Sequence, residues 1–172
     1  VLKTSILKEN QIRLDEHSFY VDVEYILYPI PYVKSVIYFD IFVYMYRLAQ
    51  VNQSVSMLGY QKHMQNHIDV ILHVLDYINK YKKQENYDEL KDKYMSRRIA
   101  DMINNQVDIY VSFPLSNKEM KQKFKEFDCA VKQRNAYVYK KAGTLSHVLK
   151  MLRKTKFRFY KSFILISKIK NR

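Results

Sequence analysis

The chain has 172 residues, 48% of them hydrophobic and 15% aromatic, and a net charge of +13. That composition can bury a core, which excludes a disordered tail or a collagen-like repeat. Its two glycines, Gly59 and Gly143, exclude the glycine-rich turns of a phosphate loop or dinucleotide fingerprint, and its one cysteine, Cys129, excludes an internal disulfide and a cysteine-rich zinc site.

In chain order, residues 2–9 read as a short helix with Leu2, Ile6 and Leu7 on one side. Ile12–Asp15 alternates like a short strand. Residues 21–28 read as a helix whose first turn holds Asp22 and Glu24, ended by Pro29 and Pro31. Ser35–Tyr46 is β-branched and aromatic apart from Asp40, which predicts one or two strands in a buried setting. Beyond residue 56 the period changes to 3.6. Met64, Ile68, Ile71, Leu75 and Ile78 predict one helix, and residues 87–104 a second, with a short extended piece at 107–111. Ser116 and Glu119 have capping-box spacing ahead of the stripe Met120, Phe124, Phe127. Gly143 reads as a helix C-cap, and Thr144 as the cap of a last helix through Leu152. Cys129 reads as an inert thiol in a packed face of a protein from a reducing compartment.

The charge divides the chain. Residues 1–60 carry five basic and six acidic side chains, whereas residues 140–172 carry eleven basic and none acidic. Two regions are expected: 1–56, and a helical basic extension 57–172 whose tail, about 150–172, alternates cations with aromatic and aliphatic residues. Lys156, Phe157, Arg158, Phe159, Lys161, Phe163 and Lys168 suit an anionic membrane surface. Nucleic-acid binding and an amphipathic helix packed on the protein are the competing readings, and the run Phe163–Ile166 weighs against nucleic acid. No run reaches the ~18 apolar residues that span a bilayer, and no signal-peptide core is present at Val1–Lys8. The chain lacks an initial Met, which is read as the mark of a trimmed product or a fragment.

The carboxylates Asp15, Glu16, Asp22 and Glu24 are the densest acidic feature. A carboxylate at a helix start amid apolar neighbours can serve as a general base, or can merely cap the helix. His63 and His67, at i and i+4, lack the adjacent Glu of a metalloprotease and any third ligand placed by sequence, so they read as a solvated helix face.

Ile12-Arg13-Leu14-Asp15-Glu16 followed by Phe19–Tyr25, then Val43-Tyr44-Met45-Tyr46-Arg47 and Ser54-Val55-Ser56, resembles the acceptor-side segment of family 2 glycosyltransferases with the GT-A fold. The resemblance covers residues 1–56 and extends to 57–172 only in general character. It implies an α/β first part followed by the helical extension. It also implies that Asp22 stands at the catalytic aspartate, with Arg47, Ser54 and Ser56 near the diphosphate of a nucleotide sugar. Val21 replaces the family's usual Glu, which leaves Asp22 and Glu24 as alternative bases. No Asp-x-Asp occurs, so this chain alone is expected to lack donor binding, metal and turnover. Mg²⁺ or Mn²⁺, the nucleotide sugar and a lipid-linked saccharide acceptor are implied for the intact enzyme, which would work on the cytoplasmic face of the cell membrane.

Overall fold

The computed structural model describes residues 1–45 and 56–170. Its helices are α1 (Thr4–Glu9), α2 (Asp22–Leu27), α3 (Met57–Lys62), α4 (Met64–Tyr81), α5 (Glu89–Ser112), α6 (Met120–Arg134), α7 (Ala136–Leu145), α8 (His147–Lys154) and α9 (Tyr160–Lys170), with a 3₁₀ turn at Ile30–Tyr32. Among the described residues there is no strand.

Helices α4 and α5 form the central hairpin. Ile71, Val74, Leu75 and Ile78 of α4 recur at helical spacing and face Met95, Ile99, Ile103 and Val107 of α5 in one continuous core. The connection is closed by Tyr81, whose hydroxyl accepts the Asp88 N–H at 2.8 Å and donates to the Asn86 carbonyl at 3.2 Å. Asp88 then caps α5, its Oδ1 accepting the N–H groups of Leu90 and Lys91 at 2.8 and 3.0 Å. Helices α6 and α7 pack across this hairpin, and α9 lies against α5.

The far end of α5 is held by aromatic packing. Tyr110 stacks on Phe124 of α6 at 4.5 Å, and Phe157 meets the Phe124 ring edgewise at 5.0 Å. Tyr160 donates to the Tyr110 carbonyl at 2.6 Å. That carbonyl lies in the last turn of α5, where no later N–H of the helix reaches it.

The expected α/β class is therefore wrong: the described fold is helical. Ile12–Asp15 is irregular, because the Asp15 N–H bonds a side chain, Glu24, instead of a neighbouring strand. Residues 33–45 are outside any strand, because none of the helices offers the backbone edge that a ladder needs. From the first third, Leu27 and Tyr28 belong to the common core.

Smaller corrections have local causes. Residues 107–111 continue α5, as Val107, Tyr110 and Val111 extend its buried face. The helix stops at Phe113 because Pro114 disfavours helical geometry in the residue before it. Ser116 caps nothing; Asn117 accepts the Glu119 N–H ahead of α6. Gly143 and Thr144 lie inside α7, and it is Ser146 that caps α8 through the Leu149 N–H at 3.1 Å. Cys129 is exposed rather than packed.

Gly143 has a different role from the expected cap. A Cβ there would lie 2.8 Å from the Arg153 guanidinium. That group donates to Asp128 at 2.6 and 2.9 Å and to the Tyr139 carbonyl at 2.7 Å, and stacks on the Tyr139 ring at 3.5 Å. Arg153 and Asp128 are 12% and 10% exposed. Removing one partner of such a pair leaves a desolvated charge, so Arg153→Met is expected to destabilise the fold by about 3–5 kcal/mol in urea unfolding. A loss below about 1 kcal/mol would mean that the pair contributes no more than a surface bridge.

Candidate functional site

The acidic segment folds around a buried carboxylate. Glu24, in α2, is fully buried. Its Oε2 accepts the Asp15 N–H at 2.9 Å and its Oε1 accepts the Tyr28 hydroxyl at 3.0 Å. Burial raises the Glu24 carboxyl above its usual range, while those two donors act in the opposite direction. The same desolvation, with Glu24 beside it, keeps the Tyr28 hydroxyl protonated. Asp15 in turn meets His73 of α4 at 2.7 Å, and Tyr77 donates to the Tyr28 carbonyl at 2.6 Å. These contacts fasten the loop before α2 to the α4–α5 hairpin.

Asp22, two residues earlier, has the opposite fate. It is exposed and lines a cleft of about 390 Å³ together with Tyr20, Tyr60, Arg98, Asp101 and Asn105. The chain enters α2 through Tyr20 at φ 68°, the left-handed region that an aromatic side chain occupies only at a cost of order 1–3 kcal/mol. Packing offsets that cost. The Tyr20 ring stacks on Tyr60 at 5.2 Å and meets His67 edgewise at 5.1 Å. Burial, with Tyr60 nearby, pushes the Tyr20 hydroxyl up to about 12, so it acts as a neutral hydrogen-bonding group at physiological pH.

Of the two histidines at i and i+4, His63 stacks on Phe19 at 3.7 Å. His67 is buried, against the expected solvated face, and its Nδ1 lies 2.8 Å from Gln106 Oε1. The pair therefore shares no ligand. The ligand atoms of Asp15, Glu24 and His73 do lie within 4.8 Å of one another. This group does not fit Mg²⁺ or Mn²⁺. Glu24 is fully buried, each of its oxygens takes a hydrogen bond and one Asp15 oxygen meets the imidazole, whereas such a hard ion keeps several waters and needs room for them.

The remaining candidates are scattered. Ser56 caps α3, its Oγ accepting the Gly59 N–H at 3.0 Å. Arg47 and Ser54 lie outside the described residues. In the tail, Phe157 is buried and Phe163 half-buried, while Lys156, Arg158, Phe159 and Lys161 are exposed. Lys168 has its backbone in α9, and its side chain is outside the described part. Phe157 is thus core and unavailable to a membrane, because Phe124 claims its ring. The cleft residues Arg98, Asp101 and Asn105 were missed from sequence. Their spacing of three and four along α5 opposes its buried face and was the available signal.

No protein-family model, curated protein or solved structure matches the chain.

His67 gives the site a measurable acid sensitivity. Burial lowers its pKa to about 4 from 6.5, although the bond to Gln106 favours the charged ring. Between those two values the unfolded chain binds a proton that the folded chain does not, so stability rises with pH across this window. Going from pH 7 to pH 4.5 is expected to remove about 2 kcal/mol through this ring. Urea unfolding of the wild type and His67→Asn at both pH values checks it: the variant should show a smaller loss by that amount. Equal losses would show that His67 titrates normally.

Proposed function

We propose that this chain supplies the acceptor side and the catalytic base of an inverting sugar transferase acting in cell-surface polysaccharide synthesis. The observation that carries the proposal is the separation of the two carboxylates at α2. Glu24 is sealed and fully hydrogen-bonded, whereas Asp22 stands in an open cleft among Tyr20, Tyr60, Arg98, Asp101 and Asn105. A cleft lined by rings, carboxylates, an amide and a guanidinium supports binding of a polyhydroxylated acceptor, since rings cover the apolar face of a sugar while polar groups pair its hydroxyls. On this reading Asp22 is the base and Glu24 is the residue that positions it.

In the reaction, Asp22 takes the proton from an acceptor hydroxyl as its oxygen attacks the anomeric carbon of the donor. The bond to the nucleoside diphosphate breaks, and its electron pair leaves with the diphosphate. Arg47, Ser54 and Ser56 are the residues proposed to meet that diphosphate, through charge-assisted and hydroxyl hydrogen bonds. In this proposal the donor and any metal it carries are held by polypeptide beyond these residues, a reading supported by the lack of an Asp-x-Asp here.

Two variants separate the roles in the enzyme complete with its donor-binding part. Asp22→Asn is expected to lower kcat by about 10²–10⁴, the usual contribution of a general base, with the helical content and unfolding midpoint unchanged. Glu24→Gln keeps the buried shape and is expected to lose less than tenfold once the folded fraction is accounted for. A loss below tenfold for Asp22→Asn would remove the base assignment.

The tail is proposed to rest on an anionic membrane surface. No helix among the described residues is long and apolar enough to cross a membrane. With Phe157, Tyr160 and Ile164 turned into the core, Lys161, Leu165 and Ile166 form the outer side of α9, next to Arg158 and Phe159. Cations beside exposed apolar groups support contact with acidic headgroups. Flotation with vesicles containing about a third phosphatidylserine should carry the chain upward at low salt and less so at high salt, in line with screening. Lys161→Glu with Arg158→Glu should abolish flotation. Salt-steep binding to RNA without flotation would favour the nucleic-acid reading instead.

A further inference from the structure

Three features that each work against stability meet at the wall of the Asp22 cleft. Tyr20 sits at φ 68°, outside the backbone region that an aromatic residue prefers. His67 is an imidazole only 2% exposed, and its burial lowers the pKa to about 4 and keeps the ring neutral. Gln106, in α5, is fully buried, and its Nε2 has no hydrogen-bond partner among the described residues. A polar group buried in that way loses its hydration without compensation.

These residues touch one another. The Tyr20 ring meets His67 edgewise at 5.1 Å, the Tyr60 ring does so at 5.6 Å, and Gln106 Oε1 lies 2.8 Å from His67 Nδ1. Two apolar side chains of similar volume at 67 and 106 would fill the space between α4 and α5 and orphan no group, so packing does not account for the polar pair. Locally unfavourable features of this kind gather where a site needs them.

The pair does account for how the imidazole is presented. Gln106 Oε1 can only accept, so His67 Nδ1 carries the hydrogen and Nε2 carries the lone pair. The two nitrogens point to different sides of the ring. With Nδ1 turned to Gln106 in the core, Nε2 is turned away from it, and His67 lines the cleft together with Tyr20, Asp22 and Tyr60. Asp22 and Asp101 offer the cleft charged acceptors and Arg98 a charged donor. A neutral ring nitrogen is a different recognition element, because it takes a bond from an O–H group without a charge on either side.

We propose that His67 is a specificity residue of this cleft: its Nε2, oriented by the bond from Nδ1 to Gln106, accepts a hydroxyl of the bound saccharide. Gln106 is then the positioning residue. The proposal rests on the saccharide reading of the cleft and adds the group that selects a hydroxyl over an oxyanion or a bare C–H at one position. An unpaired lone pair rejects both.

The test titrates the purified chain with the methyl pyranosides of glucose, galactose and mannose. Imidazole nitrogen NMR follows His67, and backbone amide shifts follow Asp22 and Arg98. In the free chain Nδ1 is expected as the protonated nitrogen and Nε2 as the unprotonated one. At least one glycoside should move the Nε2 resonance together with the Asp22 and Arg98 amides. The double variant His67→Leu with Gln106→Met removes both polar partners. It is expected to keep or raise the urea midpoint while weakening that glycoside's binding about three- to tenfold, the size of one neutral hydrogen bond. A merely structural pair would lower the midpoint and leave the affinity of the folded chain unchanged, which would overturn the proposal. Movement of Asp22 and Arg98 without Nε2, or a protonated Nε2 in the free chain, would overturn the role of His67 and leave the saccharide reading standing. No response to any of the glycosides would overturn both.

Discussion

Helix α5 is covered by segments from both ends of the chain, and that burial is the constraint on which the rest depends. Twenty-four residues form a rod of about 36 Å. Its inner positions, from Met95 through Tyr110, meet α4 on one side and α7 and α9 on others, and Leu27 from the first third enters the same core. Because Tyr110 is clamped between Phe124 and the Tyr160 hydroxyl, the basic tail is tied to the body at its start. The exposed side of α5 is then free to carry Arg98, Asp101 and Asn105 into the cleft.

The cleft exists because a buried acid holds α2 in place. Glu24 accepts bonds from the Asp15 N–H and the Tyr28 hydroxyl. The loop that reaches it turns through Tyr20 in a conformation that an isolated peptide would avoid. The Tyr20–Tyr60 stack and the edge of His67 offset that strain. In this arrangement one carboxylate is consumed as a fastening so that its neighbour can stand exposed. The two acids differ by two residues in sequence and by their whole environment in space.

Charge and apolar surface are separated in the same economical way. The cationic excess lies in the helical part, whereas the segment from Val36 to Met45 holds a single charge, Asp40, and projects its rings outward. An excess of surface cations raises the potential that anionic groups meet near a protein surface.

Much of the helical architecture was legible in the sequence. The period of Met64, Ile68, Ile71, Leu75 and Ile78 marks α4, the stripe Met120, Phe124, Phe127 marks α6, and the acids before Pro29 and Pro31 mark α2. Such patterns are local, and burial of one face rewards them directly. Asp22 and Glu24 were likewise visible as a pair, but not which of them is exposed. That depends on Asp15 and Tyr28, nine and four residues away from Glu24, and on Tyr60 and Arg98 from distant helices. The β-rich segment at 35–45 misled the fold class because composition reports what a residue prefers, while a strand also needs a neighbour. Gly143 misled in the same way: its lack of a side chain was plain, but only the tertiary structure placed the Arg153 guanidinium against it. Periodicity and composition, which are properties of contiguous residues, thus determined which segments become helices and where the charge lies. Tertiary packing alone decided which acid is sealed, which aromatic rings are core and which face outward, because those outcomes depend on groups brought together from far along the chain.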